Sequence, residues 1–530
     1  MKVLITDKIN ESAKDIICDA AICDFLPTMS EDELVQKIGE YDALMVRSQT
    51  KVTKKIIEAG KSLKIIGRAG VGVDNIDLET ATKCGIIVVN SPDGNTHAAA
   101  EHTVAMMLSL SRNIPQAYET IKQGLWERSK FTGVEVFGKT LGVIGFGKIG
   151  QHVAKVAQAL GMNIVVYDPY TTKELVENLC AFYCSTLDEF WGQCDYISIH
   201  TPKTKETISL INKNTINRMK KGVKIINCAR GGIIDEAALC EAIKEGQVSG
   251  AAIDVFENEP DIKSSPLFGC VDKCVLTPHL GASTSEAQIN VAVDVAKQIR
   301  EVLLGGEAKS AVNLPQMKPE KLEPVKDYMG LAQNISQMAS QIASGNIQSV
   351  EITVMGELAQ VDATPIEIAV LKGVFDYRVG SVNYVNAPLI AKERGIKVTT
   401  IKSNQNVPSC GVITVKIITS ENETIVRGAM LAKDIYRITK INNFSTSIMP
   451  DSNMLLIPHE NKPSMVAKVA QIIGEKGINI NSMQVNNDTK SQNNESIMIL
   501  NVPCEVKDDV IQKLNQIDGV KSSKYIKLSV

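Results

Sequence analysis

The chain lacks a long apolar run, an excess of charge of one sign, and a secretory start. Its 530 residues carry 57 Lys+Arg against 60 Asp+Glu, a formal net charge of −3. That balance excludes the basic field of a general nucleic-acid binder and the cationic face of a membrane-surface protein. No apolar stretch approaches the ~20 residues that cross a bilayer. A secretory leader would need a basic start and a longer apolar core, whereas Met1-Lys2-Val3-Leu4-Ile5-Thr6-Asp7 reads as a strand of a folded region. Zinc-ligand clusters are missing too. Cys180 and Cys184 are four apart, as are Cys270 and Cys274, but no His or Cys cluster completes either pair, so both read as apolar thiols and no metal is expected. Twelve cysteines in a long chain without a leader imply reduced thiols, hence a cytoplasmic protein.

What is present is core-forming residue, 44% of the chain, in a length that suits three or four domains. The most specific signal is Leu141-Gly142-Val143-Ile144-Gly145-Phe146-Gly147-Lys148-Ile149-Gly150, followed by a helical pattern and then Val165-Val166-Tyr167-Asp168. This is the layout of a dinucleotide-binding βαβ unit. Gly145 permits the tight turn. Gly147 admits a pyrophosphate onto the free N–H groups where the helix opens at Lys148 and Ile149. Gly150 lets helix and strand approach. Asp168 can accept from both ribose hydroxyls and would repel a 2′-phosphate, which selects NAD over NADP.

Residues 1–95 alternate strand and helix signals, among them Ala43-Leu44-Met45-Val46 and Leu63-Lys64-Ile65-Ile66. Thr96 to Leu110 reads as a long helix crossing into the nucleotide domain. Strands at Ile197–His200, Val223–Asn227, Gly250–Ile253 and Cys274–Thr277 extend a doubly wound parallel sheet. A helix over Ser285 to Leu304 returns to the first region. Asn313-Leu314-Pro315-Gln316-Met317-Lys318-Pro319 is a proline-punctuated linker. The expected layout is α/β. A Rossmann-type NAD domain (96–282) is inserted in a discontinuous flavodoxin-like substrate domain (1–95 and 283–312). An α+β intervening domain (318–451) follows, with helices over Leu331–Ala343 and Pro365–Lys372. Last comes a βαββαβ domain (452–530), with strands at Met454–Pro458, Ile478–Val485, Ser496–Val502 and Val520–Leu528.

Three segments carry candidate chemistry at strand ends: Asn227-Cys228-Ala229-Arg230-Gly231-Gly232, Asp254-Val255-Phe256-Glu257-Asn258-Glu259-Pro260 and Leu276-Thr277-Pro278-His279-Leu280-Gly281. Oxidation of a 2-hydroxy acid needs a fixed cation for the carboxylate, a base for the hydroxyl proton, and a group that tunes the base. Arg230, with its bidentate fork, suits the first role. His279 suits the second and Glu259 the third. Singly, each has a plainer reading: a structural ion pair, a loop histidine, a solvated turn. His97, His102, His152 and His200 read as structural, with Thr201 and Pro202 bordering the cofactor. Cys228 reads as a small residue at the cofactor's edge whose alkylation would be felt.

The fingerprint, the Arg of N-x-A-R-G-G, the Glu of E-P and the His of P-H-L-G-A together resemble the D-isomer-specific 2-hydroxyacid dehydrogenases. Val46-Arg47-Ser48, Gly67-Arg68-Ala69-Gly70-Val71-Gly72-Val73-Asp74-Asn75-Ile76-Asp77 and Trp126-Glu127-Arg128 extend the resemblance to the long-type D-3-phosphoglycerate dehydrogenases, over essentially the whole chain. The resemblance implies NAD-dependent oxidation of D-3-phosphoglycerate to 3-phosphohydroxypyruvate, the first step of L-serine biosynthesis, with Arg230, Glu259 and His279 catalytic. It implies Asp254 at the nicotinamide carboxamide, Arg47 and Ser48 at the substrate phosphate, and the Val71-Gly72 backbone at its carboxylate. Arg128 and Lys130 would add charge from across a dimer interface. Val71 stands where the family often has Thr. The tail, Leu456-Ile457-Pro458-His459-Glu460-Asn461-Lys462-Pro463 with Gly477-Ile478-Asn479-Ile480, resembles an ACT domain. In serine-inhibited relatives, the positions matching His459, Asn461 and Asn479 bind L-serine between two such domains. Ser464 replaces the usual glycine there, and an ACT fold used only for assembly is the alternative. Ser381 to Gly395 resembles the family's intervening domain, read either as a second anion site or as a spacer. A homodimer or homotetramer is expected. The rival readings are another D-2-hydroxyacid dehydrogenase, acting on glycerate, glyoxylate or lactate, and a non-catalytic NAD-sensing interaction protein.

Overall fold

Four β-sheets organise the chain. The computed structural model describes residues 1–314, 317, 319–380, 382–405, 407, 409–433, 435–488 and 494–529. Pro315, Gln316 and Lys318 of the linker, and Ser381 of the third region, lie outside the described residues.

The first sheet has strands Lys2–Ile5, Ile22–Phe25, Ala43–Val46, Ile65–Arg68 and Ile87–Val89, all parallel, in spatial order 2-1-3-4-5. This is the flavodoxin-like order. Its central strands are continuous apolar runs because both faces are covered. Val3, Ile5, Met45 and Ile65 face a helix over Ser285–Leu303 through Val291, Val295 and Ile299. Leu4, Leu44, Val46 and Ile66 face Leu34, Ile56 and Ile57 on the other side. A segment beyond residue 284 thus completes the core begun at residue 3.

The second sheet has strands Thr140–Ile144, Asn163–Tyr167, Phe182–Tyr183, Tyr196–Ile199, Val223–Asn227, Val248–Ile253 and Cys274–Leu276. All are parallel, in order 3-2-1-4-5-6-7. The order reverses between the first and fourth strands, where doubly wound sheets bind dinucleotides. The helix Thr96–Arg112 lies over this sheet, packing Ala100, Val104, Met107 and Leu110 against Val143, Val153 and Ala157. It ends at Asn113, whose φ of 53° is the left-handed conformation favoured at helix C-termini. The next helix, Ile114–Lys122, buries no residue of its own.

The third sheet has six strands, Ile347–Gly356, Lys397–Ser403, Gly411–Thr419, Glu423–Ala432, Ile435–Ile441 and Phe444–Ile448, in order 2-1-3-4-5-6. Helices Met329–Ile342 and Thr364–Asp376 cover it. The last sheet has antiparallel strands Asn453–Glu460, Ser482–Asn487, Glu495–Asn501 and Lys524–Lys527 in order 2-3-1-4, with helices Met465–Glu475 and Asp508–Asn515 completing a βαββαβ chain order. Two of these strands are shorter than the sequence suggests. After Gly477, at φ 69°, Ile478 and Ile480 drop into the core beneath the helices, and pairing begins only at Ser482. Val520 makes an isolated bridge to His459, and the last strand starts at Lys524. The third and fourth sheets share one hydrophobic cluster: Met454, Leu456, Ile497, Ile499 and Ile526 sit with Val350, Ile352 and Leu331. Gln337 and Gln341 stitch the helix Met329–Ile342 to Lys527 and Ser529.

Candidate active site

The glycine loop lies at the reversal point of the second sheet. Gly145 has φ 91°, and a Cβ there would stand 2.7 Å from the carbonyl oxygen of His200. A Cβ at Gly150 would stand 2.2 Å from the Gly145 carbonyl oxygen, so helix and strand meet there only through glycine. Nothing lies within 4 Å above Gly147, which caps the helix Lys148–Ala159 with no side-chain bond to its free N–H groups. That is the opening an anionic pyrophosphate needs. Asp168 accepts from Phe146 N at 2.6 Å and Tyr170 N at 2.8 Å, which fixes the carboxylate at the end of the second strand. A cavity of about 440 Å³ runs along the loop, lined by Gly147, Lys148, Ile149, Thr96, His200 and Ser310 among others. Lys148 reaches across it to Asp93 at 2.5 Å. The buried hydroxyls of Thr96 and Thr201 have no hydrogen-bond partner among the described residues, and Pro202 is exposed. These features fit NAD.

At the C-terminal edge of the same sheet, Asn227 holds the Arg230 loop by accepting from Ala229 N and donating to the Arg230 carbonyl, both at 3.0 Å. Gly231 packs on the next loop so tightly that a Cβ would stand 1.8 Å from the Phe256 carbonyl oxygen. That loop carries Glu259. Its Oε1 accepts from Phe256 N at 2.7 Å, and its Oε2 lies 2.6 Å from His279 Nδ1. Partial burial pushes the Glu259 carboxyl up, but the bonds from His279 and Phe256 N outweigh it and hold the pKa below the ordinary value. The carboxylate therefore stays ionised and fixes the imidazole ring.

His279 has φ 56°, a left-handed backbone that a side chain adopts only when its surroundings hold it there. Asp254 provides that hold: its carbonyl accepts from His279 N at 2.8 Å, Oδ1 from Leu280 N at 2.8 Å, and Oδ2 from Gly281 N at 2.9 Å. The expected carboxamide partner is thus a fully buried carboxylate already engaged by the chain itself. Cys228 is also packed in, and burial raises its thiol to about 12. All twelve cysteines are free thiols. Of the other histidines, His200 is partly buried, with desolvation lowering its pKa to about 4, and His97 packs edge-on against His152.

Three guanidinium groups converge across the cleft. Arg230 Nε bonds Asp74 Oδ2 at 3.1 Å, and a Cβ on Gly72 would stand 2.0 Å from Arg230 Nη2, so the guanidinium lies on the Gly72 backbone. Arg47 is fixed by Asp7, which accepts from its backbone N at 2.8 Å, and its Nη1 donates to the Lys8 carbonyl at 3.1 Å. Arg68 was passed over in the sequence motif that contains it. It ends the strand Ile65–Arg68, its Nε is buried without a partner among the described residues, and desolvation followed by repulsion from Arg230 lowers its pKa to about 10. The rule that picked out Arg230, a cation at the C-terminal end of a parallel strand, would have picked out Arg68. Ser48 is exposed beside Arg47, and Val71 receives Asn90 Nδ2 on its carbonyl at 2.5 Å. Arg128 and Lys130 are not brought to this set. Both are exposed on the turn Arg128–Phe131, where Lys130 pairs with Glu127.

At the far end of the chain, His459 is buried and its Nδ1 lies 3.0 Å from the Ile457 carbonyl. Asn461 and Asn479 are exposed. Ser464 opens the following helix at φ 68° with no capping bond.

Residues 104–281 match the NAD binding domain of the D-isomer specific 2-hydroxyacid dehydrogenases, and residues 324–442 match the D-3-phosphoglycerate dehydrogenase intervening domain. The chain is 44% identical to a D-3-phosphoglycerate dehydrogenase of Synechocystis, covering 99% of this chain and 95% of that one. It is 40% identical to the Bacillus subtilis enzyme of that name, covering 99% of each. Among solved structures, a D-lactate dehydrogenase from Aquifex aeolicus complexed with NAD and lactic acid superposes at TM-score 0.52 and 30% identity, covering 57% of this chain and 96% of that one. A glyoxylate reductase from Paecilomyes thermophila superposes at TM-score 0.55 and 30% identity, covering 60% of this chain and 99% of that one. The chain belongs to the D-3-phosphoglycerate dehydrogenase family of NAD-dependent, D-isomer-specific 2-hydroxyacid dehydrogenases.

Proposed function

We propose that the chain oxidises D-3-phosphoglycerate to 3-phosphohydroxypyruvate, the first step of L-serine formation. The observation that carries this reading is the set of three converging arginines opposite the His279–Glu259 pair, with one carboxylate, Asp74, bonded to Arg230. An unphosphorylated hydroxy acid needs one such cation. A substrate anionic at both ends uses all three. NAD, when bound, supplies the acceptor for the hydride leaving C2. His279 takes the C2 hydroxyl proton through Nε2, because Nδ1 faces Glu259. Glu259 stabilises the resulting imidazolium. Arg230 grips the carboxylate and polarises the developing carbonyl, while Arg47, Ser48 and the underlying Arg68 receive the phosphate. The Gly72 backbone lies beside Arg230 at the carboxylate end. The first sheet serves as substrate domain and the second as NAD domain, so closure between them excludes water.

A second copy of the chain is the partner that best suits the helix Ile114–Lys122, which buries nothing of its own and carries Tyr118 and Ile121 at 64% and 54% exposure. Arg128 follows it and would enter the neighbour's site. The last sheet serves as an ACT regulatory domain for L-serine, with Asn461 and Asn479 exposed to an effector. The third acts as the intervening domain between the two. Twelve free thiols suit a reducing, cytoplasmic compartment. Among the described residues, no helix is long and apolar enough to cross a membrane.

The test is NADH formation from NAD with D-3-phosphoglycerate, run beside D-glycerate and D-lactate, with the keto product trapped and L-serine titrated in. Strong preference for the phosphorylated acid is expected. Equal use of an unphosphorylated acid would move the chain to a different substrate within the same chemistry.

A further inference from the structure

His102 sits on the helix Thr96–Arg112, and on sequence it reads as structural. Its place in the fold is less neutral. Nε2 lies 3.2 Å from Asp254 Oδ1 and 3.3 Å from Thr277 Oγ1. Thr277 Oγ1 in turn donates to the same Asp254 oxygen at 2.5 Å. An ionised carboxylate only accepts, so the hydrogen is on His102 Nε2. The Thr277 hydroxyl spends its hydrogen on Asp254 and offers a lone pair to His102. Asp254 is completely buried, and its Oδ1 and Oδ2 together serve four donors: His102, Thr277, Leu280 N and Gly281 N. The last two donors are the amides that follow His279. The same residue's carbonyl takes the His279 amide. Burial alone pushes the Asp254 carboxyl up, and the bonds from His102, Thr277 and the two amides bring it below its ordinary value.

We infer that His102 is a positioning residue for the base: with Thr277 it anchors Asp254 Oδ1 and so keeps that carboxylate aimed at the two amides that hold His279 in its left-handed turn. The cluster has a metal-like composition, since His102, Cys228 and Asp254 offer ligand atoms within 4.8 Å of one another. Both Asp254 oxygens are already bonded within the chain, so the arrangement works as a clamp. A neutral or rotated Asp254 releases Leu280 N and Gly281 N together. His279, at φ 56°, then has the least reason of any residue in the turn to stay where it is. The helix bearing His102 also leads in from the first domain's side of the cleft, so closure and base alignment share a part.

The inference rests on His279 as the base, and the experiment separates the two. Steady-state kcat and both KM values are measured with D-3-phosphoglycerate and NAD for His102→Leu, His102→Gln, Thr277→Val, Asp254→Asn, the His102→Leu/Asp254→Asn double variant and His279→Gln. Expected are a fall in kcat of about 10- to 100-fold in His102→Leu with KM changed little, recovery to within about threefold in His102→Gln, which keeps a donor, and a double variant no worse than Asp254→Asn alone. Thr277→Val carries the same signature and decides the matter if His102→Leu does not fold. Turnover retained in His279→Gln overturns the base assignment and this inference with it. Turnover lost there but unchanged in His102→Leu and Thr277→Val overturns this inference alone. So does a loss that His102→Gln fails to rescue, or losses that multiply in the double variant.

Discussion

Arg230 makes three contacts: a charged pair to Asp74, a hydrogen bond from Nη1 to the Ala229 carbonyl at 2.7 Å, and a seat on the Gly72 backbone. Arg230→Lys keeps the charge and loses the fork. It should weaken transition-state binding by about 2–3 kcal/mol, roughly 30- to 150-fold in kcat/KM, with the thermal midpoint unmoved. Near-normal turnover would remove Arg230 from the carboxylate. Glu259 allows a pH test. Its pKa is lowered in the folded chain, so the stability it contributes is present above the unfolded value of ~4.3 and is lost as pH falls through the folded value. The difference in thermal midpoint between wild type and Glu259→Gln should therefore be full near neutrality and shrink as pH falls through the lowered folded value. A constant difference across that range would mean that the carboxylate's charge has no part in it. At this scale, sequence pattern singled out Arg230, Glu259 and His279 as candidates because each sits in a local motif. It could not find His102, which meets Asp254 only after about 150 residues have folded between them, a contact that no spacing records.

Two glycines show how loops set those residues in place, and they should fail differently. A Cβ at Gly231 collides with the Phe256 backbone carbonyl at 1.8 Å, which cannot yield without moving the Glu259 loop. Gly231→Ala should lower both stability and kcat. At Gly72 the collision is with the end of the Arg230 side chain at 2.0 Å. Gly72→Ala should swing Arg230 aside, raising KM for the hydroxy acid with little change in denaturation midpoint. Like effects in both variants would contradict the distinction between a backbone obstacle and a side-chain one. Ser464 is the opposite case, a side chain at φ 68° where glycine is at ease. Ser464→Gly should stabilise the fold by about 1 kcal/mol and so raise the denaturation midpoint, and an unchanged or lower midpoint would show that the turn carries no strain. Elements were legible where an apolar run was short and continuous, as in the parallel strands buried on both faces. They were misjudged where apolar residues serve the core without pairing, as Ile478 and Ile480 do beside the last sheet.

Over the whole molecule, the clearest expectation concerns association. Tyr118 and Ile121 leave a bare apolar helix face on the NAD-domain side. Tyr118→Asp with Ile121→Asp should give a smaller species by light scattering, and an unchanged mass would place the contact between copies elsewhere. The order of sheets was readable in advance because the strands of each sheet are neighbours along the chain. How the sheets lean on one another was not, since that depends on which faces remain apolar once each sheet has formed. The shared cluster that joins Met454 and Ile526 to Val350 and Leu331 is such a case. A chain ending at residue 451 would expose one side of the helix Met329–Ile342 along Gln337 and Gln341. The tail is therefore a wall of its neighbour's house. A ligand that tilts it must tilt the third sheet as well, and with it Asn383, whose amide grips the Gly85 carbonyl of the first domain at 2.7 Å.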